Sequence, residues 1–147
     1  MADEIGFDFS ELTKLAADLG NVAGTAGPFL RTAIERTSRN VKDAANESIE
    51  SDDKSGRWTG VTKAVDYDIT VKAGLGGSQI ESEIGYNKSR YGKRAKLGSL
   101  REFGAPGADG VPLAPHNDLL NALHANEADF VTGLANALKD AERKAGL

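Results

Sequence analysis

His116 and His124 are the two histidines of the chain and the side chains best suited to metal or acid–base chemistry. Asp118 and Glu127 stand close by, so a metal-assisted hydrolase built on His116, Asp118 and His124 is one chemistry to weigh. Both histidines fall near one predicted helix, eight residues apart, and about 12 Å of axial rise is too far for a single ion to take both rings. The chain has no cysteine, which removes thiolate metal sites, disulfides and a sulfur nucleophile. A serine triad would need its elbow, and no Gly-x-Ser-x-Gly is present. The carboxylate pairs Asp66/Asp68 and Glu81/Glu83 are two residues apart, which in strands sets each pair on one face. With Lys63 and Lys72 for company, that face reads as solvated rather than as an acid–base or calcium site. Gly74-Leu75-Gly76-Gly77 carries no Lys-Ser/Thr after it, so it is a hairpin loop and not a phosphate loop. Nothing brings a nucleophile, a base and oxyanion donors together. The sequence is therefore read as that of a non-enzyme, with no catalytic residue, no cofactor and no metal.

Charge gives a stronger signal. Lys88, Arg90, Lys93, Arg94, Lys96 and Arg101 follow one another with no acid until Glu102, and Tyr86 and Tyr91 lie at the edge of the run. Such a run reads either as a solvated loop or as an arm that meets an acidic protein surface or a phosphate backbone, and a nucleic-acid-binding module using residues 88–101 is the alternative function. The whole chain has 18 Lys+Arg against 22 Asp+Glu, a net charge of -4, which argues against nucleic-acid binding over its entire surface. Trp58, in a glycine-flanked loop, reads as capping the core or anchoring a partner, with core packing favoured.

The elements that must position these residues follow from periodicity. At 147 residues the chain fits a single domain, 1–147, divided into an N-terminal helical arm 1–26 and a core 27–147. Leu12, Leu15, Ala16 and Leu19 predict a helix over 8–20, with acids outnumbering Lys14 along 1–18. Pro28 suits a first helical position, and Leu30, Ile34, Val41, Ala45 and Ile49 carry a second helix over 28–50. Thr62–Val65, Ile69–Ala73 and Ile80–Tyr86 read as strands, the last two as an antiparallel hairpin. Residues 87–115 read as a long basic loop, with Leu97, Leu100 and Phe103 spaced to pin its middle. Phe103 is expected to be buried and Gly104 to hold a backbone angle that a β-carbon disfavours. Asn117 is a fair N-cap for a last helix over 117–145. The fold class is α+β: a small antiparallel sheet, hairpin 69–86, packed with two or three helices. Apolar runs are far short of a membrane span and the acidic start is no signal peptide, so the default compartment is the cytoplasm.

The order of these pieces resembles a family of small tailed-phage proteins, the tail-completion or head–tail joining type. Thr59-Gly60-Val61-Thr62-Lys63-Ala64-Val65 is similar to that family's turn into its first strand. Ile84-Gly85-Tyr86 is similar to its hairpin end, and Leu100-Arg101-Glu102-Phe103-Gly104 to its Leu/Val-Glu-Phe-Gly signature, with Arg101 inserted. Pro112 and Pro115, ahead of Leu119-Leu120 and Ala122, match its proline-rich turn, although His116 stands where the family has an aromatic residue. The resemblance covers about residues 30–145. It implies a structural, non-enzymatic virion protein of the neck or tail, made in the host bacterial cytoplasm. It also implies self-association in a ring, taken as a hexamer, with DNA passing through the lumen. The implied neighbours are head-closure, tail-terminator or tail-tube proteins, with no membrane.

Overall fold

The structure is a computed structural model that describes residues 5–8, 23–74, 77–107 and 110–146. Helix α1 spans Ala23–Asp52. Ala26, Leu30, Ile34, Ser38, Val41, Ala45 and Ile49 are buried along it, a stripe stepping by three and four. It begins before the Gly27-Pro28 start expected from sequence, and Pro28 lies inside it. The helix runs through the 26/27 boundary, and Ala26 is buried in the core. The rest of the helix expected over 8–20 lies outside the described residues, except Asp8, which is in a strand.

The hairpin is present and longer than expected. Strands β2 (Val65–Gly74) and β3 (Gly77–Tyr86) pair antiparallel, with Val65 opposite Tyr86 and Val71 opposite Ile80. Strand β1, Ile5–Asp8, adds to the other side of β3 and gives the order β1-β3-β2. Ile80, Ser82, Ile84 and Tyr86 are buried on the face toward the helices. Asp68 and Glu83 are exposed on the outer face, and Lys72 sits 3.6 Å from Glu81 there, as a solvated face requires. Of the strand expected over Thr62–Val65 only Val65 is in one: Val61–Ala64 is a 3-10 helix entered through Gly60 at φ 84. Val61 and Ala64 are both buried, the three-residue spacing of that helix rather than the alternation of a strand.

The long basic loop 87–115 is corrected in its first half. Residues 88–103 form helix α2 (Lys88–Phe103), capped by the Asn87 side chain, which accepts from the Arg90 N–H at 3.1 Å. A kink sits at Gly92, φ 42. From there Ala95, Gly98, Ser99, Arg101 and Glu102 form the buried face. Helix α3, Asp118–Lys144, is one element through Glu127 and Gly133. It packs along α1, and α2 covers the 3-10 helix at the far end of the sheet.

The core divides in two. Val41, Ala45, Ile49, Trp58, Val61, Ile84, Tyr86 and Leu119 make one cluster, and Leu30, Ile34, Ile80, Phe130 and Leu134 the other. Beside the join, Ser38 Oγ and Ser82 Oγ share a buried 2.6 Å hydrogen bond, and Ser38 also donates to the Ile34 carbonyl. A cavity of 180 Å³ lined by Val41, Ile84, Leu123 and Phe130 adjoins them. Ser82→Ala is expected to cost about 0.5–1.5 kcal/mol, the net worth of one hydrogen bond, because Ser38 keeps its bond to the Ile34 carbonyl. The double change with Ser38→Ala is expected to cost less than the sum of the singles, read from urea denaturation of all four proteins.

Candidate functional site

Three helix ends meet around one buried cation. Arg101 is 1% exposed, and the carboxylate of Asp118 is as deeply placed. Arg101 Nε donates to Asp118 Oδ2 at 2.7 Å and Nη2 to Oδ1 at 3.2 Å, a two-point clamp. Nη1 donates to Asp52 Oδ2 at 2.9 Å, and Ser48 Oγ donates to Asp118 Oδ1 at 2.7 Å. The C-terminal end of α1, the last turn of α2 and the first turn of α3 are thereby joined. Burial alone would lower the guanidinium pKa; Asp118 and Asp52 more than reverse this, so Arg101 is held charged. Trp58 closes one side, its ring centroid 5.3 Å from the guanidinium carbon, and His116 stands edge-on to that ring at 6.2 Å.

Glu102 does what Asn117 was expected to do. Asn117 takes a left-handed conformation, φ 53, and makes no side-chain cap. Glu102 reaches across instead and accepts from the backbone N–H groups of Leu119 at 2.9 Å and Leu120 at 3.1 Å. These are orphan donors of the first turn of α3, satisfied by a carboxylate from another helix. Burial raises the Glu102 pKa, and these two N–H groups only partly oppose it. A raised folded-state value makes its stabilising contribution complete below the ordinary 4.5 and lost as pH climbs through the folded value. Wild-type stability relative to Glu102→Gln is therefore expected to fall as pH rises above about 4.5, checked by paired urea titrations.

The motif residues quoted from the sequence converge here. Gly60 faces the Arg94 side chain, and a β-carbon on it would stand 3.0 Å from Arg94 Nε. Gly85 is buried beside Tyr86, and the Tyr86 ring packs against the bare backbone of Gly98. Burial pushes the Tyr86 hydroxyl pKa up. Gly104 has φ 74, as expected, and a β-carbon there would meet the Leu113 carbonyl oxygen at 2.5 Å. Thr59 is exposed and closes its own turn, Oγ1 bonding the Gly56 carbonyl at 2.8 Å and Asp53 Oδ2 at 3.4 Å. Pro112 and Pro115 flank the short bridge in which Ala105 and Leu113 exchange hydrogen bonds of 3.0 and 2.7 Å.

Two expectations fail. Arg101 is not part of a basic surface, because its fork is consumed by Asp118 and Asp52. Phe103 is 51% exposed and Leu100 42%, so neither is a core pin. Together with Leu97 they point outward, because the inward face of α2 is taken by Ala95, Gly98 and Ser99 against Tyr86 and its neighbours. What remains at the surface is a helix face of Lys93, Lys96, Leu97, Leu100 and Phe103, with Arg90 and Arg94 beside it. Lys88, Lys96, Ser99, Leu100, Phe103 and Gly104 line a groove of 380 Å³ along it. This face, unlike the network, is available to a partner.

The histidines are not brought to a common centre. His116 Nε2 is 3.6 Å from Asp52, and His124 pairs with Glu127 at 3.0 Å within α3. Among the described residues there is no group of three or more His, Asp and Glu placed to hold a metal ion. No described helix is long and apolar enough to cross a membrane.

The chain is thus an α+β protein whose helix ends are locked by buried charge and whose second helix offers a cationic, apolar outer face. No protein-family model, no curated protein and no solved structure matches it.

Proposed function

We propose that the protein is a structural, non-enzymatic component of a tailed bacteriophage that joins head and tail at the neck, working as a ring of its own copies. The observation that carries the assembly part of this reading is the outer face of α2. Leu97, Leu100 and Phe103 are exposed in a row beside Lys93 and Lys96, and exposed apolar rows rimmed by charge mark interaction surfaces. The phage part rests on the order of the motifs, and their convergence supports it. Gly60, Tyr86 and Glu102 take part in docking α2 onto the 3-10 helix, the sheet end and α3, and Gly104 after it packs on Leu113 and Pro115. A shared scaffold needs such residues to sit together, whereas chance matches would scatter.

The test is genetic. Deletion of the gene from the phage genome that carries it is expected to leave filled heads and finished tails unjoined under the electron microscope, with joining restored by the gene in trans. Normal virions from the deletion would overturn the reading. The same basic residues also favour the nucleic-acid alternative, and salt separates the two. Tight DNA binding by the free protein that weakens steeply with salt, lost on charge reversal of Arg90, Lys93 and Arg94, would move the function there.

A further inference from the structure

We propose that the cavity between α1, α3 and β3 is a binding site for a small neutral molecule, one aromatic ring in size, that carries a single hydrogen-bond donor: the phenol class. The site is independent of the head–tail reading and lies in a different part of the molecule. The cavity exists because two short side chains stand where long ones would close it. Ser38 interrupts the buried stripe of Ile34, Val41 and Ala45 on α1, and Ser82 stands between Ile80 and Ile84 on β3. Both serines are buried, and their hydroxyls meet at 2.6 Å. Well-packed interiors keep few voids larger than a water molecule. Here 180 Å³ is left, walled by Val41, Ile84, Leu123 and Phe130. An apolar cavity of about 150 Å³ with walls of this kind stays dry and takes up benzene. Volume and walls therefore set the body of the ligand.

The placement of two protons sets its polar end. Ser38 is the buried polar residue of the lining. A hydroxyl has one proton to give and two lone pairs to receive with. The Ile34 carbonyl can only accept, so the Ser38 proton is committed there, at 2.8 Å. In the bond between the serines Ser82 is then the donor, and it takes up one lone pair of Ser38 Oγ. What Ser38 still offers is a lone pair and no proton. The ligand must therefore bring the donor: a hydroxyl is recognised, and an ether, ketone or nitrile is not. A single acceptor also falls short of the about two to four partners that hold a buried water. An anion such as benzoate is refused twice, because Ser38 has no proton to give it and a charge between apolar walls is costly. The other polar lining residues, Thr37, Asn126 and Glu127, are less buried than Ser38 and form the mouth. Thr37 also lines a groove of 530 Å³ between α1 and α3, which gives the route in from solvent.

The test is titration of the full chain with phenol, toluene and benzoate, followed by NMR of the side-chain methyl groups. Phenol and toluene are expected to shift the methyl signals of Val41, Ile84 and Leu123 and to leave those of Leu97 and Leu100 on α2 unmoved. Benzoate is expected not to bind. Ser38→Ala removes the acceptor and is expected to weaken phenol about three- to tenfold, the scale of one net hydrogen bond, with toluene unchanged or tighter. Ser82→Ala is the control. There Ser38 keeps its oxygen and regains a lone pair, so phenol is expected to bind at least as tightly as to wild type. The comparison of probes on the wild-type chain needs no variant, so it decides the matter even where Ser38→Ala fails to fold. Silence of the cavity methyl groups or benzoate binding as tight as that of phenol would overturn the site. So would equal losses of phenol and toluene in Ser38→Ala, or loss of phenol in Ser82→Ala.

Discussion

Arg101→Ala is expected to lower unfolding stability by about 3–5 kcal/mol, the cost of stranding a buried carboxylate. The stranded group is Asp118, whose side chain is 2% exposed and which keeps only Ser48 as a hydrogen-bonding side chain. Asp52 contributes little to the figure, because its carboxylate is 55% exposed and water replaces the lost partner. The measurement is a urea midpoint with its slope. A midpoint drop at constant slope reports lost stability rather than a changed unfolded state. Small domains have only about 5–15 kcal/mol in total, so the variant stays measurable but marginal. Arg101→Met combined with Asp118→Leu is expected to recover most of the loss, since an apolar pair of similar bulk removes the desolvation cost as well as the attraction. A single variant within 1 kcal/mol of wild type would mean that the three helix ends are held by apolar contact alone.

Gly98→Ala is the second large effect, for the opposite reason. A β-carbon at Gly98 would fall inside contact distance of the Tyr86 ring carbons, and Tyr86 is 0% exposed with no room to swing away. Overpacking of this kind costs about 1–3 kcal/mol, and Gly98→Val should exceed it. In a Tyr86→Leu background the penalty of Gly98→Ala should shrink, since the ring that blocks the methyl is gone, and the shortfall measures the coupling. Equal penalties in both backgrounds would show that the cost is backbone entropy rather than collision. Phe103→Ala, although it removes more atoms, should change the melt by no more than about 0.5 kcal/mol, because half of that side chain is already in water.

The contrast between these residues separates what was legible in the sequence from what was not. The α1 stripe of Leu30, Ile34, Val41, Ala45 and Ile49 could be read directly, as could the alternation of β3. In both, large apolar groups recur at the period of the element and point to its buried side. The positive φ of Gly104 was legible too, from a glycine between a helical turn and a proline-rich stretch. Helix α2 was not, because its buried face is Ala95, Gly98, Ser99, Arg101 and Glu102, which carries almost no hydrophobic signal. The leucines and Phe103, which do carry one, face out, so periodicity pointed to the wrong side of the helix. Only tertiary structure decides that Arg101 is interior, since burying it is favourable only once Asp118 and Asp52 arrive from α3 and α1. The same holds for Glu102, whose role exists only when the first turn of α3 is placed over it. Composition and local spacing thus determined the α+β class, the hairpin and the two long helices. The assignment of Arg101 to the interior and of Phe103 to the surface came from packing, because a charge is tolerated inside only where long-range partners meet it.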